Sequence, residues 1–535
     1  MSASPIRRQS MNTVSTLNWD TAFGIRFKDA NAAIVGAGSS PTRFDGAHDS
    51  LGATYQVGAG FGPWQMTGGA GSLLTMTLPL TGGTIAGGGQ PDAAFAATAQ
   101  IQVSLGFIPQ PGTPASQQLR IDQTQAVSVL QVTLASGPAS ALDAIRGALQ
   151  DWLNANLSQF NHVFAVVDLN TALDPSDSFA WVKPTHVGYA IYTENIASPD
   201  DYVFGVLAMT ENRPGLNLSP QIDPGIIPAG ADAGFLIAAP RVVDKMFAPQ
   251  IETLFDGASP DDFDRQDDGM TIVNVARLEF TDFTLEDGTV IADAGLDAAG
   301  FTMSIGTGYV QIRFSGLKFT WQDKYNVVVN YASTSQLSTD SNGHLQLTQT
   351  TAPSVSVNVT ETDAQKWREI WESIGISVAV AVVGAVLGAA AEAGLARAAA
   401  SSGAEASTNG VVNIEMQTIL NGMTPQQVMA GEVTALRTAI RALQEPEAPQ
   451  TFAGLFRAAS WKLLGTVIGA VIGAGVAGIV TALQAYADEN SEDMPTLDSF
   501  GEQATSNVKW TGASGYRLQS AVLRGALQLA LVKGA

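Results

Sequence analysis

The chain has 535 residues, of which 45% are hydrophobic, so it is long enough for roughly two to four domains with buried cores. Its 49 acidic residues exceed its 27 lysines and arginines, and the net charge of -22 argues against a nucleic-acid partner. The chain contains no cysteine, which excludes disulfides, thiolate nucleophiles and cysteine-ligated metals. No apolar run follows Arg7 and Arg8, so no cleavable signal peptide is expected.

The first half of the chain alternates between patterns typical of helix and of strand. Apolar residues from Trp19 to Ile34 recur at helical spacing, and a helix is favoured there, although Phe23, Ile25 and Phe27 also fit strand alternation. Three alternating segments between glycine and proline turns then predict antiparallel sheet. These segments are 73–80, 101–107 and 126–134.

Two amphipathic helices are predicted within this run of strands. Ser140 can cap the first helix, whose apolar face runs from Leu142 to Phe160. The second begins at Pro240, and Pro249 is expected to kink it. Because strand patterns surround both helices without regular strand–helix–strand alternation, the fold class is α+β. The remaining strand segments are 162–170, 179–193, 202–210 and 270–360, with more sheet in the last forty residues.

Two uncharged, alanine- and glycine-rich runs, between Glu372 and Glu392 and from Leu463 to Ala487, predict an inserted helical hairpin. Glycines repeat every four residues in these runs, a spacing that lets helix backbones approach closely. A tightly packed pair in a soluble protein is favoured, with membrane insertion as the alternative. The glycines concerned are Gly384, Gly388, Gly465, Gly469 and Gly473.

Neither a catalytic nor a cofactor site is predicted from local motifs. The glycine pattern at 473–478 has no strand before it, and the chain has neither a Gly-Lys-Ser/Thr motif nor a nucleophile elbow. Its four histidines lack the spacing of a zinc helix. The aspartates from Asp256 to Asp268 do not match a calcium loop, because Val275 stands where a bidentate glutamate is needed, so a solvated turn is favoured.

Five segments, in the same order along the chain, resemble the clostridial forty-seven-kilodalton protein and the OrfX proteins of botulinum neurotoxin gene clusters. This family belongs to the tubular lipid-binding (TULIP) superfamily, in which a long helix lies in a strongly curved antiparallel sheet. The five segments are NWDTAFGIRFKDANAAI, FGPWQMTGGAGSLLTMTLPLTGG, FNHVFAVVDLN, FLIAAPRVVDKMFAPQI and VKWTG.

The resemblance implies two TULIP-like modules, at 11–230 and at 231–362 plus 491–535, with the hairpin region at 363–490. It also implies lipid or membrane association, a place among the proteins of a toxin complex, no catalysis and no cofactor. The expected location is the bacterial cytoplasm, or outside the cell after export without a cleavable signal peptide. The lipid contacts are expected on the second helix, beside Arg241 and Lys245, with ordinary core as the alternative: Val243, Phe247, Ile251 and Leu254.

Two other functions remain open at this stage. A protein-docking scaffold with a packed core would have the same pattern of apolar residues as a lipid carrier. A membrane-inserting effector would release the glycine-rich hairpin, for example when acidic groups become protonated at low pH.

Overall fold

The computed structural model describes residues 13–50, 52–169, 180–215, 218–252, 255–280, 283–284, 290–291, 294–321, 325–339, 345–349, 354–360, 411–412, 505–513 and 515–534. The chain divides into two compact units. The first unit comprises Val14–Ala238, Gly501–Gln519 and Gln528–Ala535, and the second comprises Met1–Thr13, Ala239–Phe500 and Ser520–Leu527. The module boundaries expected from the sequence stay predictions.

Strands and two α-helices dominate the described part of the chain before residue 239. The strands are β1 Thr21–Arg26, β2 Arg43–Ser50, β3 Ala53–Phe61, β4 Gln65–Ala70, β5 Leu73–Gly87, β6 Gln90–Gln110, β7 Thr113–Ile121, β8 Ser128–Ser136, β9 Ala165–Asp168, β10 Pro184–Tyr192, β11 Val203–Thr210 and β12 Ala233–Ala238. The α-helices are α1 Phe27–Ala37 and α2 Leu142–Asn156. Short 3-10 turns are Ala139–Ala141, Leu157–Gln159, Ala180–Val182, Pro199–Asp201 and Pro224–Ile226.

Strands also dominate the described part of the chain after residue 238. They are β13 Phe263–Gln266, β14 Thr271–Asn274, β15 Leu278–Glu279, β16 Phe283–Thr284, β17 Val290–Ile291, β18 Gly295–Leu296, β19 Phe301–Gly306, β20 Tyr309–Trp321, β21 Tyr325–Thr339, β22 Leu345–Gln349, β23 Ser354–Thr360, β24 Val411–Val412, β25 Val508–Trp510, β26 Tyr516–Leu523 and β27 Ala526–Lys533. The helical segments are α3 Ala239–Val242, a π-helical turn Val243–Phe247, α4 Ala248–Glu252, and 3-10 turns Pro260–Asp262 and Asp267–Gly269.

A six-stranded sheet of order β10-β11-β1-β12-β27-β26 has three glycines in register across its centre. Gly24 of β1 lies opposite Gly205 of β11 and Gly234 of β12. A Cβ at Gly205 would lie 2.0 Å from Ile222 Cδ1, and one at Gly234 would lie 1.9 Å from the carbonyl oxygen of Ile226. The segment that contains these two isoleucines therefore packs directly on the backbone of the glycine row.

A second sheet of the first unit has the order β2-β3-β5-β6-β7-β9-β25, with β4 paired to β5 and β8 paired to β6. Its pairing shifts register at Gly58/Gly60, between β3 and β5, and at Leu80/Gly83, between β5 and β6. Such bulges bend a strand and increase its twist. The sheet is therefore curved at these points, and α2 packs against its β2, β3 and β8 strands.

The second unit contains a sheet of order β13-β14-β19-β20-β21-β23-β24, with β15, β18 and β22 off this path. Its core is a phenylalanine cluster, in which the Phe255 ring lies 4.9 Å from Phe280 and 5.5 Å from Phe301, and Phe301 lies 5.6 Å from Phe314. All four side chains are buried. Phe301 of β19 and Phe314 of β20 are cross-strand partners, so their rings project from the same face of the sheet.

Most sequence-predicted elements before residue 360 are confirmed, and one is wrong in part. The chain after Trp19 first forms strand β1, and helix begins only at Phe27. The β1 strand pairs with β11 and β12 on either side, so burial in the sheet outweighs the helical spacing of its apolar residues. A π-helical turn, Val243–Phe247, precedes Pro249, and the kink expected at Pro249 stays a prediction. The predicted hairpin glycines lie outside the described residues.

Candidate functional site

Helix α2 lies between the two edge regions of the curved sheet. Its buried residues recur on one face, while Asp143 in the first turn matches the positive end of the helix dipole. This face covers strands that are far apart in the sheet order, because β2 and β8 lie on opposite sides of β3, β5 and β6. The buried residues are Ala144, Ile145, Ala148, Leu149, Trp152 and Leu153.

On the β8 side, polar side chains of α2 form hydrogen bonds with backbone groups of Val127, which immediately precedes β8, and of Val129, which lies in β8. Asn154 Oδ1 accepts from Val127 N at 2.9 Å, and Gln150 Oε1 accepts from Val129 N at 2.7 Å. Arg146 donates to the Val129 carbonyl at 3.1 Å, and Gln150 also donates to that of Val127. These three residues follow each other at four-residue spacing on one helix face and satisfy groups that an open sheet edge would leave unpaired.

Replacing Gln150 with alanine is expected to destabilise the first unit by about 1–3 kcal/mol, because the Val127 and Val129 groups would lose their partner. Hydrogen exchange measured by mass spectrometry should show faster exchange in the peptide that contains Val129. Gln131→Ala, which removes an exposed glutamine of the same strand, is the control and should leave that exchange unchanged. Equal exchange in the two variants would contradict the bonding role of Gln150.

Along β2, α2 approaches the sheet through small residues. A Cβ at Gly46 would lie 3.2 Å from the Ala148 carbonyl oxygen and 3.8 Å from Ala148 Cβ. The ring of His48 lies over Gly147, where a Cβ would come within 2.2 Å of His48 Nε2. His48 Nδ1 lies 2.9 Å from Asp151 Oδ2, and both side chains are partly exposed. Within the described residues, this contact is the only side-chain hydrogen bond between α2 and β2.

Aromatic side chains fill the interior beneath α2. Trp152 of α2 lies 6.1 Å from Phe44 and 5.4 Å from Phe61, measured between ring centroids. Phe61 lies 5.4 Å from Trp64, which stacks on Phe160 at 4.8 Å. Aromatic contacts of this kind add to the free energy of burial. The interior is therefore apolar and closely packed.

His162 is buried beside this aromatic interior, with its ring centroid 6.0 Å from that of Phe160. Its ring contacts Phe164 at 4.8 Å, and its Nδ1 lies 2.8 Å from Ser39 Oγ. Its Nε2 has no hydrogen-bond partner among the described residues. Burial of the ring penalises the charged form and lowers the pKa of His162 to about 4.

The buried imidazole predicts a loss of stability in acid. His162 is neutral in the folded protein but would bind a proton in the unfolded chain below about pH 6.5, so its contribution is present above that pH. That contribution should fall by about 3 kcal/mol as the pH drops from 6.5 to 4. Unfolding free energies of wild type and His162→Phe, measured at pH 7 and pH 4, should differ in their pH dependence by this amount. Parallel pH profiles would contradict the assignment.

A cavity of about 150 Å³ lies at the end of the sheet where α2 begins. Tyr55 of β3 contributes to its wall, as do Ser140 and Ala141, which immediately precede α2. Tyr55 is also the cross-strand partner of His48, so the cavity adjoins the β2 side of the helix. The other lining residues are Ile85, Gly87, Pro91, Ala93 and Pro138.

The sequence-predicted lipid contacts lie elsewhere, in the helical segment of the second unit. Val243, Phe247 and Ile251 are buried, with at most 5% of their surface exposed. Leu254 and the five hairpin glycines lie outside the described residues. Sequence reasoning found α2 but missed its contacts with β8, although the four-residue spacing of Arg146, Gln150 and Asn154 was a signal for one polar helix face.

The acidic segment expected to be a solvated turn forms local hydrogen bonds. Asp262 accepts from Ser259, and Asp267 accepts from Thr271. Among the described residues, no group of three or more histidine, aspartate or glutamate side chains could hold a metal ion. No helix within the described ranges is both long and apolar enough to cross a membrane.

Comparison with known proteins finds relatives over much of the chain. Two proteins named OrfX3, from Paraclostridium bifermentans and Clostridium botulinum (strain Kyoto / Type A2), are 29% identical over 293 residues and 26% identical over 339. The alignments cover 47% and 56% of this chain, and 57% and 65% of those relatives. The aligned part of the chain thus spans less than two thirds of the length of either relative.

The fold is similar to that of two solved structures. P47 from Clostridium botulinum A2 superposes with a TM-score of 0.56 at 12% identity, covering 97% of this chain and 98% of that one. P47 from Clostridium botulinum E1 gives 0.57 at 10% identity, covering 98% and 100%. The family model described as "OrfX-like: Protein OrfX2/OrfX3/P47" matches residues 16–430. Since that match covers most of the chain, the protein belongs to the OrfX-like family.

Proposed function

We propose that this protein is a non-enzymatic lipid-binding protein built on TULIP-like modules and that it acts as an accessory component of a toxin-type gene cluster. One observation carries the proposal: α2 lies along a curved sheet, over an apolar interior, with a cavity beside the residues that immediately precede the helix. Apolar surroundings with a few polar groups at the opening suit an acyl chain with a polar head. The names of the relatives support the accessory role.

The size of the cavity limits how such a ligand would bind. About 150 Å³ is smaller than the roughly 300–1,000 Å³ of ordinary small-molecule pockets, so the cavity holds only part of a lipid. Because the interior beneath α2 is closely packed, the rest of the acyl chain would have to separate Phe44, Phe61 and Trp152 in order to extend there. Tyr55 and Ser140 at the cavity wall would face the more polar end of the ligand.

The first test is native mass spectrometry of the purified protein, followed by organic extraction and lipid mass spectrometry. A defined lipid at fixed stoichiometry is the expected result. Ala93→Phe fills the cavity wall and should lower lipid occupancy at least tenfold. Ala94→Phe, which adds the same ring at the next, exposed position of β6, is the matched control and should retain the lipid.

A chain that carries no lipid, and takes none up from mixed vesicles, would reject the proposal. Co-purification of a stoichiometric protein partner in that case would favour the docking-scaffold alternative, for which the closely packed aromatic interior is the supporting observation.

The helical segment of the second unit is a second proposed lipid contact. Phe247 is 4% exposed, so Phe247→Leu, which retains an apolar side chain, is a better test than a charged substitution. Reduced lipid occupancy in a folded Phe247→Leu protein would support a role for Val243, Phe247, Ile251 and Leu254. Unchanged occupancy would remove this surface from the site.

A further inference from the structure

The two sides of α2 are attached to the sheet in different ways. On the β8 side, Arg146, Gln150 and Asn154 form a ladder of hydrogen bonds to backbone groups of Val127 and Val129. On the β2 side, the only side-chain hydrogen bond among the described residues is the one between His48 and Asp151. Since hydrogen bonds to backbone must all break when a helix leaves an edge, the β8 side resists separation more than the β2 side.

The β2 side is held by packing and by few polar contacts. Gly46 lies against the backbone of Ala148 and Gly147 lies against the ring of His48, so neither glycine contributes a side chain that interlocks. The His48–Asp151 contact is solvent-exposed, with 32% of the His48 side chain and 63% of the Asp151 side chain accessible, so it contributes little to stability. Among the described residues, it is therefore the one polar side-chain contact that holds this side of the helix, beside the apolar packing of Phe44 on Trp152.

The weaker side adjoins the cavity. His48 and Tyr55 are cross-strand partners, and partners in an antiparallel pair project from the same face of the sheet. Tyr55 lines the cavity, and Phe44 of β2 contacts Trp152 of α2. Movement of α2 away from β2 would therefore extend the cavity towards the aromatic interior.

We infer that α2 is a lid that stays attached to β8 and opens along β2, and that the His48–Asp151 contact is its latch. The lid admits the acyl chain of a lipid from the cavity to the interior beneath the helix. The inference rests on the proposed lipid-binding function for its ligand, but the opening of the lid can be measured without lipid.

A disulfide between α2 and β2 tests whether opening is required. A Cβ at position 46 would lie 3.8 Å from Ala148 Cβ, a distance that suits a disulfide. The chain has no native cysteine with which the new pair could mispair. Oxidised Gly46→Cys/Ala148→Cys should take up a fluorescent fatty acid at least tenfold more slowly than the same protein after reduction. Ala47→Cys/Gln56→Cys, which links exposed cross-strand partners of β2 and β3, is the control and should be insensitive to reduction.

Equal uptake by the oxidised and reduced forms of Gly46→Cys/Ala148→Cys would overturn the lid. No uptake by wild type would instead reject lipid binding. The lid would then be tested by measuring the opening of α2 without lipid. In Ala148→Cys the thiol is buried, so its labelling by a thiol reagent reports separation of α2 from β2.

Adding Asp151→Ala to Ala148→Cys should raise the labelling rate at least fivefold, because the latch is lost. Asp143→Ala, which removes another exposed aspartate of α2, should not change this rate. The same labelling rate with and without Asp151 would overturn the latch whether or not lipid binds.

Discussion

Replacing Trp64 with alanine is expected to destabilise the first unit by about 3–5 kcal/mol, a loss typical of a large aromatic side chain removed from a core. Trp64 is fully buried, stacks on Phe160 and contacts Phe61 edge-on. Its removal would leave a cavity between β4 and the segment that follows α2. Urea unfolding followed by circular dichroism measures the effect as a lower midpoint at similar slope.

Trp64→Phe separates the loss of packing from the loss of the indole N–H. The Nε1 atom of Trp64 is buried without a hydrogen-bond partner among the described residues, so its removal sacrifices no bond. The expected cost is below about 1.5 kcal/mol, because a phenyl ring retains most of the stacking on Phe160. Leu130→Ala, at an exposed position, should change stability by about 0.5 kcal/mol or less. Equal effects of Trp64→Ala and Leu130→Ala would refute this account of the core.

The second large effect is expected at Gly234, where alanine should destabilise the same unit by about 3 kcal/mol or more. A Cβ there would lie 1.9 Å from the Ile226 carbonyl oxygen, which is backbone and has no rotamer through which to move away. That oxygen also accepts a hydrogen bond from the buried Gln528 at 3.1 Å. A shift that relieves the clash would therefore disturb this bond too.

Gly36→Ala is the matched control for Gly234→Ala. A Cβ at Gly36 would meet nothing within 4 Å, and the residue lies in helix α1. Alanine should be neutral there or stabilise the protein by up to about 1 kcal/mol, because glycine has a low helix propensity. If urea midpoints of the two variants were equally lowered, the close approach of the Ile226 segment to β12 would be wrong.

The proposed lipid binding and the proposed lid make separable claims. Cavity filling at Ala93 changes the space available to a ligand, whereas the disulfide between positions 46 and 148 changes only whether α2 can leave β2. A protein sensitive to the first change and not to the second would bind lipid without a moving helix. The disulfide test is straightforward because the chain has no native cysteine that could mispair.

Local sequence patterns were sufficient to predict elements that bury one face, because their apolar residues recur with the period of that helix or strand. The α2 helix follows from apolar residues at helical spacing, and strand β19 follows from alternation, because one face of each contacts a core. The resemblance to the OrfX and P47 proteins also came from short segments alone, and the family match confirms it. Neither pattern nor resemblance distinguishes an apolar groove for lipid from a filled core, since both need the same residues.

Tertiary structure decided the rest, because those features depend on residues far apart in the chain. Residues 21–26 form a strand, despite helical spacing, since β11 and β12 flank them. Three glycines that look unrelated in sequence become one row in register, and Gln150 meets Val127 and Val129 only when the helix lies along the sheet edge. The register of strand pairing and the contacts between side chains depend on residues that are distant in the chain, whereas composition and periodicity reflect only the conformational preferences of neighbouring residues.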